Sequence, residues 1–465
     1  MKNRKIIFRA TLFALVCYAL CQQVQSATDT PDPAGPLPVS NTADGHNALL
    51  SITTGIYNSA FGFDALLSLT NGKFCTAVGG ATLLLNTADQ NTAVGAGALL
   101  SNTTGADNTA NGAFALFSNT TGAGNTATGI SALFSNTTGG DNTAFGTFAL
   151  INNIDGASNT AVGRDGLFAN TSGFNNTAIG RSALGSNTIG SDNTATGTSA
   201  LPLNTEGNSN TAHGAVALAN NTIGQLNTAI GASALLSNTV GNSNTADGAV
   251  ALSNNTTGQL NTAIGASALL NNTTGSNNIA LGVNAGSNIH TASDTICIDI
   301  AGVDVSDGCY IGHVFEEPLD PDNLAMAIDV NGKVGTLASS RRFKDDIKPM
   351  DKTSESILAL KPVTFHYKSD KKCSARFGLI AEEVADVDPN LVARDKDGKP
   401  YSVRYDQVNA MLLNEFLKEH RKVQKLENGM TALTAQLKEQ AGQIQKVSAQ
   451  LQMNKPTTKV VLDHP

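Results

Sequence analysis

The chain has 465 residues, enough for two or three domains, yet only 15% of them are charged, Gly numbers 45 and Trp is absent. A net charge of -8 and the lack of a basic stripe argue against nucleic acid as a partner. Most of the Lys, Arg and Glu lie after about residue 340, so a charge-poor repetitive body is joined to an ordinary charged domain.

Residues 1–26 read as a secretory signal peptide. Lys2, Arg4, Lys5 and Arg9 precede an apolar run from Ala10 to Leu20, and Val24-Gln25-Ser26 supplies the small or aliphatic residues a signal peptidase cuts after. The run is too short to span a membrane, and neither Cys17 nor Cys21 follows the small residue of a lipoprotein attachment site. No other membrane segment is present, so the mature chain is expected to be secreted or displayed at the cell surface. Residues 27–40 read as a linker.

From Asn41 to Asn288 a unit of seventeen residues recurs, opening on Asn-Thr-Ala or a near variant at 41, 58, 75, 91, 108 and onward to 278, with a single step of sixteen between 75 and 91. A period held that tightly predicts a mainly β fold, a parallel β-solenoid of about fifteen stacked turns. In the clearest copy, Asn91 to Gly105, two extended stretches are expected, at Ala93-Val94 and Ala98-Leu99, each closed by a glycine turn at Gly95 and Gly105. Turns stacked about 4.8 Å apart make a rod on the order of 70 Å long, with Asn and Thr forming ladders up the stack. Triplets such as Asn102-Thr103-Thr104 match a glycosylation acceptor, but their fixed register favours a ladder role.

Each turn offers a thin core of one Leu, one Ile or Val and two Ala, little against the entropy of ordering seventeen residues. That shortfall predicts further burial between chains in a homotrimer; a monomeric solenoid sustained by its ladders is the alternative. The segment resembles the heads of bacterial trimeric adhesins, whose left-handed β-rolls use similar Asn-x-Ala-x-Gly repeats of usually shorter period. The resemblance implies a trimeric β-roll. A ligand-binding use of the repeats, toward a surface glycan, a host or cell-surface ligand, or ice through a Thr face, is a further alternative.

After signal removal Cys75, Cys297, Cys309 and Cys373 remain. An oxidising destination allows a disulfide between Cys297 and Cys309, with free buried thiols as the equal alternative. Residues 289–338 form a β-rich connector, with strand-like pieces at Thr295–Ile300 and Leu324–Val330 and an Asn331-Gly332 turn.

The next nine residues are Ser339-Ser340-Arg341-Arg342-Phe343-Lys344-Asp345-Asp346-Ile347. They resemble the opening Ser-Asp-x-x-Leu-Lys-x-x-Ile of the intramolecular chaperone auto-processing domain found at the C-terminal ends of phage endosialidases and tail fibres and in some membrane-tethered transcription factors. Leu360 to Tyr367, a strand, and Phe377 to Val384, a strand running into a helix, are two further motifs of that family. The likeness covers residues 339 to about 427, with Ser340 standing where Asp is usual.

It implies that the domain, residues 339–410, guides trimerisation and cuts itself off at Ala338-Ser339, with Ser339 as nucleophile and Lys344 as general base; a domain that stays uncut as a permanent trimer clamp is the alternative. A serine hydroxyl attacks the preceding carbonyl only if a neutral amine takes its proton, which burial and the neighbouring Arg341 and Arg342 favour. A spacing of five puts the two side chains on opposite sides of a straight strand. Either the backbone bends between them or Ser339 of one chain meets Lys344 of another.

No metal or cofactor is expected, because the seven His are scattered without ligand spacing and the repeat glycines lack the Lys-Ser or Lys-Thr of a phosphate loop. Glu382 and Glu383 read as residues of a helix N-terminus. From Leu412 through Phe416, Val423, Leu426, Met430, Leu433, Leu437, Ile444, Val447 and Leu451 a four-three rhythm predicts a coiled coil over residues 411–453, weakened by Gly429 and Gly442, with a flexible tail at 454–465.

Overall fold

The computed structural model describes residues 40–314, 326–328, 333–336, 338–370, 372–395 and 397–454. The expected signal peptide, nearly all of the linker, the Asn331-Gly332 turn and nearly all of the tail lie outside them. The chain divides into two compact units, Met1–Glu317 and Pro318–Pro465.

The first unit is a parallel β-solenoid. Its 17-stranded sheet takes one three-residue strand from each turn, from Thr42–Asp44 to Cys309–Ile311, and each strand pairs in parallel with that of the next turn. Counting the leading Asn as position 1, the strand covers positions 2 to 4, so Thr92 pairs with Thr109 and Ala93 with Ala110. Alternation along the strand turns position 3 inward, where Ala93, Ala110 and Ala127 are fully buried, and positions 2 and 4 outward.

The second extended stretch is not a strand. Leu99 lies in the left-handed region at φ 50°, and the equivalent leucine of each turn from Leu49 to Leu269 holds φ between 49° and 55°. That conformation costs a leucine about 1 kcal/mol, but these side chains are essentially completely buried, which returns about 2 kcal/mol each. The two turn glycines also differ in role. Gly95 has φ 125°, whereas Gly105 lies outside the left-handed region and is required by close approach: a Cβ there would collide with the Gly122 carbonyl oxygen and come within 2.7 Å of Asn102 Oδ1.

Two asparagine ladders run inside the coil. At position 1, Asn91 Oδ1 accepts the backbone N–H of Asn108 at 3.0 Å, while Asn108 Nδ2 donates to the Gly122 carbonyl at 2.9 Å. At position 12, Asn119 Nδ2 donates to Asn102 Oδ1 at 2.7 Å and to the Gly122 carbonyl at 2.9 Å. The asparagines from Asn58 to Asn278 in the first column and from Asn86 to Asn272 in the second are fully buried, including those of the glycosylation-like triplets. Among the described residues every buried side-chain nitrogen and oxygen has a partner. The sixteen-residue turn loses its residue just after Thr87, where Asn86 Nδ2 bonds the Ala88 carbonyl at 2.8 Å as Asn102 bonds Gly105, so Thr76 still pairs with Thr92.

The ladder continues past Asn288 into the expected connector, through strands Ile296–Ile298 and Cys309–Ile311. There Cys297 takes the inward position of Ala280 and is buried, whereas Cys309 pairs with Ile296 and is exposed. Cys297 and Cys309 are both free thiols, as are Cys75 and Cys373; a one-residue offset on a pleated strand turns the two side chains to opposite faces.

The coil's end explains Asp304. In ordinary turns three successive N–H groups, such as those of Thr120, Thr121 and Gly122, converge on the Thr137 carbonyl of the next turn at 3.0, 3.1 and 3.2 Å. The last such set has no further repeat, and Asp304 Oδ1 takes that place, accepting from His290, Thr291 and Ala292 at 2.9, 3.0 and 2.8 Å. Desolvation pushes the Asp304 pKa up, but these three donors outweigh it and pull it down to about 2. A depressed folded-state pKa contributes stability that is present above the unfolded value and lost as pH falls through the folded one. Protection of the amides of residues 290–292, measured against intrinsic exchange, is therefore expected to hold down to about pH 4 and to fall between there and about 2. Asp304→Asn should keep protection flat across that window, and loss of protection at higher pH would contradict the role.

Among the described residues the second unit holds three two-stranded antiparallel pairs, Met326–Ile328 with Val334–Thr336, Val363–Phe365 with Arg376–Gly378, and Val392–Arg394 with Pro400–Val403. Between the last two pairs runs a helix, Ala381–Val387, with Glu382 and Glu383 in its first turn. Val384, Leu391, Val392, Val403 and Met411 form the core, with Met350, Ile357 and Leu360 packed against it. A single helix then runs from Tyr405 to Met453, beginning six residues before the expected start and continuous through Gly429 and Gly442. Its nine apolar seam residues from Phe416 to Leu451 are 47% to 68% exposed, and among the described residues no helix is long and apolar enough to cross a membrane.

Candidate active site

The backbone bends between Ser339 and Lys344. A 3-10 turn occupies Arg341–Phe343, closed by the Phe343 N–H to the Ser340 carbonyl at 3.0 Å and the Lys344 N–H to the Arg341 carbonyl at 3.1 Å. One tight turn shortens the path enough to fold the lysine back over the serine, and Lys344 Nζ donates to Ser339 Oγ at 3.3 Å. The pair thus meets within one chain. Arg342 sits 4.7 Å over the Phe343 ring, and Asp346 is engaged by Lys348 at 2.7 Å. Ser340 makes no capping hydrogen bond with its side chain.

Residues 338–349 are all exposed, Ser339 and Lys344 included. The desolvation that keeps a lysine neutral is therefore not supplied by the fold of one chain. Behind the site the chain is anchored by the 3-10 helix Asp351–Ala359, whose Ile357 lies against the core.

That helix carries a second serine–lysine contact, absent from the sequence reading. Ser354 is fully buried; its Oγ donates to the Glu415 carboxylate and accepts from Asn414 Nδ2 at 2.7 Å and Lys418 Nζ at 3.4 Å. Lys418 also pairs with Glu415 at 2.7 Å. Hydrogen bonds from Lys418 and then Ser354 lower the Glu415 pKa, and the bond to Glu415 raises that of Lys418. The two serine–lysine distances are nearly equal, but Lys418 is tied to Glu415, so Ser354 anchors the long helix, whereas the Ser339–Lys344 contact lies beside the Ala338-Ser339 bond. The sole sequence signal was the Asn414, Glu415, Lys418 spacing on one helical face, and their partner lies about sixty positions away. Ser354→Ala is expected to cost about 1–2 kcal/mol of stability in denaturant unfolding; an unchanged midpoint would remove the anchor role.

Searches of curated proteins and of solved structures return no match. Residues 339–393 match the family model described as chaperone of endosialidase, so the parallel β-solenoid is followed near the C-terminus by a segment that matches that model.

Proposed function

We propose that this protein is a secreted or surface-displayed homotrimeric fibre whose C-terminal domain acts as an intramolecular trimerisation chaperone and then releases itself. The observation that carries the self-cleaving part is the 3.3 Å contact between Ser339 Oγ and Lys344 Nζ beside the Ala338-Ser339 bond. The expected self-association rests on the family match and on the unpartnered apolar stripe of the helix Tyr405–Met453.

The chemistry is a single turnover. Neutral Lys344 takes the Ser339 hydroxyl proton as Oγ attacks the Ala338 carbonyl carbon, forming a tetrahedral oxyanion. The C–N bond breaks as that proton passes to the Ser339 nitrogen, leaving an ester from Ala338 to Oγ and a free α-amine. Water then hydrolyses the ester to the Ala338 carboxylate and restores the hydroxyl. Since one chain leaves the lysine in solvent, assembly supplies the burial and makes cleavage follow trimerisation.

A second reading, a trimer that keeps its domain uncut, is favoured by the Ser340 substitution and the exposed lysine. Intact-mass measurement of the secreted, assembled product separates them. A chain ending at Ala338 supports release, an intact C-terminus supports the permanent clamp, and single chains in sedimentation would remove both.

A further inference from the structure

We infer that the solenoid face built by positions 10, 11 and 13 of each turn is the face turned toward the symmetry axis between parallel, in-register copies of this chain. The inference rests on the proposed self-association and names its contact surface along the rod.

Charge placement selects the face. Between Asn41 and His290 every Asp, Glu, Lys and Arg falls at positions 4, 6, 7, 14, 16 or 17, as Asp44, Arg164, Asp165, Glu206, Lys73 and Asp107 illustrate. Positions 8, 9 and 12 point into the core, so their lack of charge is expected. Positions 10, 11 and 13 point outward and are equally free of these residues through all the repeats, with His290 as the one titratable group, at the far end.

Position 10 is also mostly apolar, with Ser253 and Ser287 as the exceptions. Leu67, Leu84, Leu100, Phe117, Phe134 and Ile151 occupy it in consecutive turns, each half-buried against its own coil. Phe117 and Phe134 stack at 5.1 Å along the column. After Phe168 the column narrows to Gly185, Pro202 and Ala219 without gaining a charge.

Symmetry supplies the reason. Around a rotation axis a residue facing inward meets its own copies, so a charge there would face like charges at close range, and an apolar side chain would lose its remaining water. The sheet face fails this condition, because position 4 sets Asp44 and Asp247 among Phe61, Val78 and Ile179. The fifteen-turn strip is about 70 Å long at about 4.8 Å per turn, and a width of about 10 Å gives roughly 700 Å² per chain, close to the roughly 800 Å² per partner of a stable interface.

The test uses the full-length chain carrying Leu100→Cys at position 10 or Thr126→Cys on the sheet face, treated with a short bis-maleimide and compared with the parent, whose exposed Cys309 and Cys373 set the background. Leu100→Cys is expected to give linked pairs about tenfold above the parent, since neighbouring copies raise the local thiol concentration, and Thr126→Cys to stay at background. Ser118→Cys at position 11 serves if Leu100→Cys disturbs folding. Oligomers in sedimentation without cross-links above background at either face position overturn the assignment while leaving self-association standing. Single chains in sedimentation overturn both.

Discussion

Ser339→Ala is expected to leave the chain intact under conditions in which the wild type separates at Ala338-Ser339, with the rate of scission lowered by about 10⁴-fold or more. Removing the nucleophile removes the ester path altogether, and Ser340 next to it cannot substitute because it follows the Ser339-Ser340 bond and not the Ala338-Ser339 bond. Lys344→Ala should act alike, since the hydroxyl then has no acceptor for its proton. Lys344→Arg should be equally inactive: a guanidinium stays charged at every accessible pH and cannot serve as base. Ser354→Ala is the informative control, because it removes the other serine–lysine contact, whose lysine is tied to Glu415 at 2.7 Å. Fragment patterns read by gel and intact mass decide the matter. If Ser339→Ala cleaves like the wild type, the dyad has no role in scission, and if only Ser354→Ala stops it, the buried pair has been misjudged.

The second large effect is expected in the solenoid. Asn159→Ala in mid-ladder removes a donor to the Gly173 carbonyl at 2.8 Å and an acceptor for the Asn176 N–H at 3.0 Å. All of these groups sit where water does not reach, so each orphan carries its full desolvation cost, and the change should lower stability by about 3 kcal/mol. Asn159→Asp is expected to be at least as harmful, because it exchanges the donor for a buried charge facing the Gly173 carbonyl and Asn142 Oδ1. Asn152→Ala, which removes only a surface bond from Nδ2 to the Phe168 carbonyl, should stay within about 0.5 kcal/mol of wild type. Calorimetry or denaturant midpoints across the three variants measure the difference. Equal midpoints for Asn159→Ala and Asn152→Ala would mean that the internal ladder contributes no more than a surface contact.

Much of this architecture was legible because its information is local and repeated. The seventeen-residue spacing implied stacked turns, and the first expected extended stretch fell where Thr92–Val94 and its equivalents form strands. The Ile or Val expected in the core faces outward, because strand alternation turns it opposite the buried alanine, Val94 being 38% exposed. Three ordered motifs after Ser339 pointed to the family matched at residues 339–393. The four-three rhythm foresaw a long helix, although its first turns from Tyr405 were missed because Met411 there serves the domain core and not the seam. Ala98-Leu99 was misread as extended because a leucine in a strand and a leucine in a left-handed turn look alike in sequence. Its neighbours in adjacent turns, through hydrogen bonds such as the Leu99 N–H to the Ala115 carbonyl at 3.0 Å, make the difference.

The amino-acid sequence by itself determined the period, the strand position within it, the five-residue spacing of Ser339 and Lys344, and the apolar stripe of the last helix, since each depends on residue types at short, fixed spacings. Only the tertiary structure decided that the dyad closes within one chain, that Cys297 and Cys309 face opposite ways, that Asp304 ends the coil by replacing a missing carbonyl, and that Ser354 ties the long helix to the segment behind the site. Those outcomes depend on backbone direction and on contacts between distant positions, where a side chain's role is set by what the fold brings opposite it.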